Sequence, residues 1–494
     1  MRIIFNVTIA LMMFSLIANA NPMKKNGKPN KDFVFEVVFD HPIKEMPYLL
    51  IYTHGYNKFD TELTENLKLK AKSSNGNSCV FELKNQAKPL YFSMWLSDNV
   101  WEKAILKEFH FEPGDHVKMM LNRTKSPNGY NLKFSGAGSA KYRCHNEFED
   151  AVRSVDRNNK AEFTDEGYNI DNKTLKYIEV LYKIIEKYKP EMSDYSYNLL
   201  HADVVGHMLR SIFSTVYARL SILIERKDTL GFKKAADDFT GKFKYDFTNN
   251  IPENVLVDSK EYADFLLRKI ECKVIVENRM VDYKIIYQNI KEVKSSRLRD
   301  KMMANFIARS WIRMNDDFEG ILNDALECVK DQEALVKLKK FKHHDRGNKA
   351  YNFSLPDVKG KMVSLDDFKG KVVFVDFWFT GCTYCKLYYK HELSVVEKMY
   401  EHNPDVVFIT ISIDDDKEMW LKSLNGGEYT SAKAINLYTN GEGIRSGVIK
   451  YYNIFSYPCP MLIGKKAQII KLTGDELRNK EVLIHEIEKE LTIK

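Results

Sequence analysis

The sequence lacks a dense block of lysine and arginine, although it is basic overall. Its 75 Lys and Arg residues are scattered among 68 Asp and Glu residues, which gives a formal net charge of +7. Segments that bind nucleic acid instead concentrate basic residues and interleave them with aromatic ones. We therefore expect no nucleic-acid partner and interpret the excess of positive charge as a solvated surface.

Long hydrophobic runs are missing after the N-terminus. The first residues contain Arg2, an apolar stretch from Ile3 to Ile17 and the small-residue pattern Ala18-Asn19-Ala20. This order is typical of a secretory signal peptide, and the apolar stretch is short for a membrane span. No cysteine follows it that would carry a lipid anchor. We predict a signal peptide at 1–20, a soluble protein exported to the periplasm or cell envelope, and no membrane span after cleavage.

Cysteine is scarce, with seven residues in 494. Disulfides persist in exported proteins, so the cysteines outside the C-x-x-C sequence at 382–385 have two interpretations. Cys79 with Cys144, and Cys272 with Cys328, are either structural bridges or buried free thiols. Cys459 remains unassigned, as a buried bystander or a third redox-active thiol.

The hydrophobic pattern changes twice along the chain, which predicts a multidomain protein. Residues 30–145 contain short alternating apolar segments separated by turn residues, typical of an antiparallel β-sandwich. Residues 165–342 carry apolar residues at helical spacing, which predicts an α-helical domain. Residues 343–352 are predicted to be a polar linker. From residue 353 onwards, strands alternate with helices, as in an α/β domain.

The C-x-x-C sequence lies where the apolar strand "KVVFVDFWF" ends and a helix begins. A helix N-terminus stabilises a thiolate, so we predict that Cys382 is a low-pKa, exposed nucleophile. Cys385 lies one turn further on the same face and can attack a mixed disulfide on Cys382. A zinc site needs four ligands, and the sequence lacks a second C-x-x-C or H-x-x-x-H at suitable spacing. We expect no metal and no cofactor.

These residues carry a resemblance to a known family. The segment "AYNFSLPDVKGKMVSLDDFKGKVVFVDFWFTGCTYC", followed by "YPCPMLI" at 457–463, resembles TlpA-like disulfide oxidoreductases of the thioredoxin fold. The resemblance extends from about residue 350 to the C-terminus and implies an α/β thioredoxin fold for the domain predicted at 353–494. It also implies that Pro458 is in the cis form and faces the redox cysteines, with Tyr457 beside it as a substrate contact.

The resemblance assigns roles to two further residues on the strand before the cysteines. Asp376 matches the buried acid of thioredoxin; burial should raise its pKa, and it could accept the proton of Cys385. The alternative is a structural polar residue. Trp378 matches the family tryptophan beside the site and is expected to shape the substrate-docking surface, or else to pack.

We therefore predict an exported thiol–disulfide oxidoreductase, a disulfide reductase, that acts through Cys382 and Cys385 by way of a mixed disulfide. The expected partners are disulfide-containing proteins or small thiols and an envelope electron donor. One alternative is a thiol peroxidase of the same fold, but Val375 and Phe379 stand where that chemistry needs proline and a hydroxyl. The other is a non-enzymatic envelope binding protein with a thioredoxin-like module.

Overall fold

The computed structural model describes residues 31–42, 46–53, 66–74, 76–97, 102–124, 130–158, 172–242, 250–314, 317–344, 346–472 and 476–493. The predicted signal peptide at 1–20 lies outside these residues. Within them, a strand-rich part is followed by a helical part and then by a mixed part. No helix in the described ranges has the length and apolar character needed to cross a membrane.

The strand-rich part consists of two sheets packed face to face. Its strands are β1 (Phe33–Phe39), β2 (Met46–Tyr52), β3 (Leu67–Lys70), β4 (Ser73–Ser74), β5 (Ser78–Leu83), β6 (Leu90–Ser97), β7 (Glu102–Phe111), β8 (His116–Arg123) and β9 (Tyr130–Ala137). One sheet has the order β4-β5-β1-β8-β9 and the other β3-β2-β6-β7. Every second residue of β1 is buried, because alternate side chains of a strand point to one face. The rings of Phe33 and Phe111, from the two sheets, lie 4.1 Å apart in the core.

The predicted antiparallel arrangement is wrong for one pair of strands. β1 pairs with β5 in the antiparallel direction but with β8 in the parallel direction, so the first sheet is mixed. Alternation of apolar residues shows which side chains face the core, but it does not show in which direction the neighbouring strand runs.

The helical part begins directly after β9, inside the range predicted to be β-rich. Its helices are α1 (Ser139–Asn158), α2 (Asn172–Tyr188), α3 (Asp194–Glu225), α4 (Thr229–Lys242), α5 (Glu253–Asp258), α6 (Tyr262–Asn278), α7 (Tyr283–Lys291), α8 (Ser296–Ser310), α9 (Asp317–Cys328) and α10 (Gln332–Lys340). The Ser193 side chain caps α3 by accepting a hydrogen bond from the Ser196 backbone N–H, which satisfies a donor that the helix leaves unpaired.

The segment predicted to be a polar linker, 343–352, is exposed at residues 346–349, but His344 and Ala350 within it are buried. His344 is buried, and its ring lies 4.2 Å from that of Trp311 in the helical part. Burial lowers its pKa to about 3, because the charged imidazolium is disfavoured away from water. Ala350 and Phe353 join the same apolar cluster, which continues into the last part of the chain. The polar sequence did not predict the burial of His344, because a histidine in a polar segment can still be buried in its neutral form against aromatic rings.

The five cysteines outside the C-x-x-C sequence are free thiols, so neither predicted bridge forms. Cys79 and Cys144 belong to different apolar clusters, one within the sandwich and the other between helices. Burial raises the pKa of each of these two thiols to about 12. The structure supports the alternative of buried free thiols for Cys79, Cys144 and Cys272, whereas the free thiol of Cys328 is only half-buried.

The C-terminal part is an α/β layer around a five-stranded mixed sheet. Its strands are β10 (Ser354–Pro356), β11 (Met362–Ser364), β12 (Val372–Trp378), β13 (Val406–Ser412), β14 (Ile435–Tyr438), β15 (Met461–Ile463) and β16 (Ile469–Lys471). Its helices are α11 (Thr383–Tyr388), α12 (Ser394–Met399), α13 (Lys417–Gly426), α14 (Gly447–Tyr452) and α15 (Lys480–Thr492), with a π-helical turn (Tyr389–Leu393) between α11 and α12.

The main sheet of this part has the order β14-β13-β12-β15-β16, which makes β12 the central strand. β12 is parallel to β13 and antiparallel to β15. All seven residues of β12 are buried, as expected for a strand covered on both faces. The predicted α/β domain is therefore observed, and Cys382 and Cys385 follow its central strand.

Candidate active site

The two cysteines of the C-x-x-C sequence form a disulfide at the start of α11. Their sulfur atoms are 2.01 Å apart and their Cα atoms 5.3 Å apart. Cys382 is the N-cap residue of α11, and its sulfur accepts a hydrogen bond from the Cys385 backbone N–H at 3.1 Å. This position places Cys382 Sγ against the positive end of the helix.

Cys382 is more buried than the sequence suggested. In the disulfide form, 6% of Cys382 and 2% of Cys385 is exposed. They belong to an aromatic cluster whose other buried members are Trp378, Trp420, Tyr429 and Tyr438. The predicted exposure of Cys382 is therefore not seen in the oxidised form, although Cys382 is the less buried of the two.

The turn that joins β12 to α11 is held by residues from neighbouring elements. Thr380 donates two hydrogen bonds to the buried Asp414 carboxylate, from its N–H and from its hydroxyl, each at 2.8 Å. Gly381 adopts a φ of +94°, a conformation that favours glycine. Its N–H donates to the Tyr429 hydroxyl at 2.7 Å. Asp414 and Tyr429 thus fix the two residues before Cys382.

Asp376 lies on β12, six residues before Cys382 in the sequence. It is 2% exposed, and among the described residues its Oδ1 has no hydrogen-bond partner. Burial raises its pKa to about 7, because a carboxylate loses hydration inside the protein; Arg478 and the backbone amides of Phe377 and Cys459 act in the opposite direction. Near neutral pH this carboxyl therefore has both a protonated and an ionised form available.

Two further charged side chains surround Asp376. Arg478 donates a hydrogen bond to the Pro458 carbonyl and lowers the pKa of Asp376. Glu397 on α12 opposes this effect, and burial raises the pKa of Glu397 itself to about 7. Neither residue was singled out from the sequence: Glu397 looks like an ordinary charged residue on a helix, and Arg478 is distant from the cysteines along the chain.

The Tyr457–Pro458 peptide bond is cis, as the resemblance implied. Tyr457 is partly buried and packs edge-on against Phe379, with 5.5 Å between the ring centroids. Cys459, the next residue, is buried, and its backbone N–H donates to the Phe377 carbonyl on β12. Burial raises the pKa of the Cys459 thiol to about 12, which makes it a poor nucleophile.

Trp378 does not form a docking surface in this structure. Its side chain is completely buried and stacks on Tyr429, with the ring centroids 4.6 Å apart and an interplanar angle of 12°. The tryptophan packs beneath the turn because the end of β12 is covered on both faces. Exposed aromatic surface is supplied instead by Tyr384, which lies between the two cysteines in the sequence and is 76% exposed, and by Phe379.

This geometry defines a class of domain: a thioredoxin-like redox domain with a disulfide at a helix start, a cis-proline and a buried acid. The family comparison agrees, because residues 370–469 match the family model described as Thioredoxin-like. The C-terminal part of the chain is therefore a thioredoxin-like domain, and the prediction from the sequence is confirmed for this part. Such a fold supports a redox function in general.

Several solved structures resemble the same part of the chain. The thioredoxin domain of a thiol-disulfide oxidoreductase from Bacteroides vulgatus is 28% identical, covers 29% of this chain and 96% of its own, and has a TM-score of 0.26. A thiol:disulfide interchange protein from Bacteroides sp. is 28% identical over 30% of this chain and 93% of its own, with a TM-score of 0.26. A thiol-disulfide oxidoreductase from Bacteroides fragilis is 22% identical over 28% and 98%, with a TM-score of 0.25. No match was found among curated proteins.

The Tyr429 hydroxyl yields a prediction about the turn before Cys382. Tyr429→Phe keeps the stack on Trp378 but removes the acceptor of the Gly381 N–H. We expect a loss of up to about 1 kcal/mol in the free energy of unfolding. We also expect a changed pH profile for alkylation of the reduced Cys382, because the turn that presents this sulfur to the helix end is loosened. Iodoacetamide kinetics against pH measure the second effect.

The matched control is Tyr438→Phe. Tyr438 also stacks on a tryptophan, Trp420, at 5.0 Å and 12°, but its hydroxyl donates to the Asp415 carbonyl rather than to the turn. This variant should lose similar stability and keep the wild-type alkylation profile. Equal profiles for both variants would show that Tyr429 has no positioning role.

Proposed function

We propose that this chain is an exported thiol–disulfide oxidoreductase that reduces disulfides through Cys382 and Cys385. The observation that carries the proposal is the Cys382–Cys385 disulfide at the N-terminus of α11, which follows the strand that holds the buried carboxyl of Asp376. Disulfide exchange needs a thiolate held in an electropositive position, a second thiol within bonding distance and a place for the second thiol's proton.

In the reduced protein, the Cys382 thiolate attacks one sulfur of a substrate disulfide. A new Cys382–substrate bond forms, the substrate S–S bond breaks, and the other substrate sulfur leaves as a thiolate that takes a proton from water. The Asp376 carboxylate then accepts the proton of Cys385, and the Cys385 thiolate attacks Cys382 Sγ. The second substrate sulfur leaves, so two electrons have passed to the substrate and the Cys382–Cys385 disulfide has formed.

The substrate class is proposed to be a disulfide in a protein or a small thiol compound. Tyr384, Phe379 and Tyr457 surround the cysteines with aromatic surface, which suits the apolar flanks of a cystine in a polypeptide. The cycle also requires a reductant, an electron donor in the same compartment, that returns the disulfide to the dithiol. No cofactor takes part in these steps, because the two thiols carry both electrons.

Insulin reduction tests this function. The purified chain, supplied with dithiothreitol, should speed the precipitation of the insulin B chain, whereas the Cys382→Ser/Cys385→Ser double variant should match dithiothreitol alone. A parallel assay with hydrogen peroxide in place of insulin examines the thiol peroxidase alternative. Wild-type rates equal to those of the double variant with insulin would refute the proposed reductase, whatever the result with peroxide.

Export is a second part of the proposal, and it rests on the basic residue, apolar stretch and Ala18-Asn19-Ala20 pattern of the N-terminus. In a bacterial host, we expect the mature protein to begin near Asn21 and to be released with the periplasmic fraction. N-terminal sequencing of the purified protein measures this. Finding the intact Met1 in cytosolic protein would contradict export. The cysteine pair would then act in a different compartment from the one proposed here.

A further inference from the structure

One peptide group, between Pro458 and Cys459, lies between an arginine and the strand that carries Asp376. Its carbonyl accepts a hydrogen bond from the Arg478 guanidinium. Its N–H, on Cys459, donates to the Phe377 carbonyl of β12 at 3.4 Å. The C=O and N–H of a trans peptide group point in opposite directions, so Arg478 and β12 hold this group from its two sides.

Arg478 belongs to a short segment before α15 that is tied to the helix of the cysteines on both sides of this arginine. The Leu477 carbonyl accepts a hydrogen bond from the buried Tyr388 hydroxyl, at the end of α11, at 2.9 Å. The Lys480 N–H donates to Glu392, in the π-helical turn that follows α11, at 3.0 Å. The backbone that carries the guanidinium is therefore fixed relative to the redox site.

The ionisable side chains around Asp376 act on its carboxyl in different directions. Arg478 has the largest effect in favour of the ionised carboxyl and lowers the pKa of Asp376 more than the neighbouring backbone N–H groups do. Glu397 on α12 acts in the opposite direction. The Tyr388 and Cys459 side chains, whose pKa values are raised by burial, are neutral near pH 7. Loss of the guanidinium would therefore leave the carboxylate beside an acid without the cation that offsets it.

We propose that Arg478 is a positioning residue of the redox site: anchored to the Pro458 carbonyl, its guanidinium stabilises the ionised Asp376 carboxyl that takes the proton of Cys385. The inference rests on the proposed function, because Arg478 acts in that reaction only through Asp376. No bond to substrate is formed or broken by the arginine. It also gives the acid and the loop of Pro458, which the family resemblance places against the substrate, a shared support.

The pH dependence of stability tests this role without the redox reaction. The folded protein keeps the proton of Asp376 up to about pH 7, so the contribution of this carboxyl to the free energy of unfolding falls with rising pH and becomes constant above that pH. In Arg478→Met the carboxyl should keep its proton longer, and the fall should continue for about one further pH unit. Arg478→Lys, which keeps the charge, should end its fall close to the wild-type pH. Urea denaturation from pH 5 to 9 measures each chain against the same chain with Asp376→Asn, which cancels the other titrating groups.

The pH profile of insulin reduction gives a second readout. A displacement of one pH unit lowers the ionised fraction of Asp376 at pH 7 from about one-half to about one-tenth. Arg478→Met should therefore reduce insulin about fivefold more slowly than the wild type at pH 7 and at nearly the wild-type rate at pH 9. Arg478→Gln, which can still donate to the Pro458 carbonyl but carries no charge, should behave like Arg478→Met, and it replaces that variant if Arg478→Met fails to fold.

The matched control is Arg346→Met, which removes an arginine that lies 4.0 Å from Glu486 on α15. It should leave both pH profiles at their wild-type positions. Equal profiles for Arg478→Met and Arg346→Met, or a rate that falls by the same factor at every pH, would overturn the proposal. If the wild-type chain does not reduce insulin, the proposed function fails, whereas the stability profile still decides whether Arg478 acts on Asp376.

Discussion

Replacing Cys385 by serine is expected to abolish turnover and to trap the substrate on the protein. The remaining thiol, Cys382, still lies at the helix N-terminus and can attack a disulfide, but the sulfur that resolves the mixed disulfide is gone. The arrested species is a covalent adduct through Cys382 that only an external thiol can cleave. Expression in an exporting host, followed by non-reducing and reducing gels, should show high-mass bands that disappear on reduction.

Cys382→Ser should form no such adduct, because Cys385 is almost completely buried and lies a turn inside the helix.

A further control is Cys459→Ser, which changes another buried cysteine of the same domain. The raised pKa of Cys459 makes it a poor nucleophile, so this variant should turn over at the wild-type rate. Adducts of equal intensity in Cys382→Ser would reverse the assigned order of attack. If Cys385→Ser shows bands only when Cys459 is also replaced, Cys459 resolves the mixed disulfide instead.

The parts of the site that can be predicted without a family resemblance are local ones; the cis Pro458, distant in sequence, was implied by the resemblance. An apolar strand, a glycine and a C-x-x-C sequence follow one another within a few residues, and their secondary structure fixes where Cys382 and Cys385 lie. Asp376 stands on the same strand, but its role was implied by the family resemblance and not by local structure. The residues that hold the turn are not local: Asp414 is 34 residues from Thr380, and Tyr429 is 48 residues from Gly381. A single tyrosine or aspartate in a polar stretch carries no sign that it will fold back onto this turn.

In the N-terminal part of the chain, too, the sequence predicted local structure but not contacts between distant segments. The alternation in β1 correctly indicated a strand with one buried face, but its two neighbours, β5 and β8, run in opposite directions. The sequence left open whether Cys79 and Cys144 form a bridge or remain free thiols, and each thiol is buried in a separate cluster. Strand direction and cysteine pairing depend on contacts between distant segments, which local periodicity does not encode.

Replacing Asp376 by asparagine is expected to stabilise the protein while slowing its reaction. The carboxyl has a pKa of about 7 in the folded protein and an ordinary value of 3.8. Between these two values the folded state binds the extra proton, so the free energy of unfolding falls by about 1.4 kcal/mol per pH unit as pH rises. Asparagine has nearly the same shape as aspartate but cannot ionise, so the free energy of unfolding of the variant does not fall in this way as pH rises. At pH 8 the variant should be more stable by roughly 2–4 kcal/mol, and the difference should vanish below about pH 4.

The same substitution should slow disulfide reduction by about a hundredfold at pH 8, the lower end of what a general base contributes. Above its pKa the Asp376 carboxylate can accept the proton of Cys385, and an amide cannot. Well below pH 7 the wild-type carboxyl is itself protonated, so the two rates should converge. Urea denaturation measures the change in stability and insulin reduction measures the change in rate, each from pH 5 to 8.5.

The control is Asp264→Asn, the same change at a buried carboxyl in the helical part, which should leave the reduction rate unchanged. Increased stability with an unchanged rate would make Asp376 a buried structural acid and would leave the proton of Cys385 to solvent.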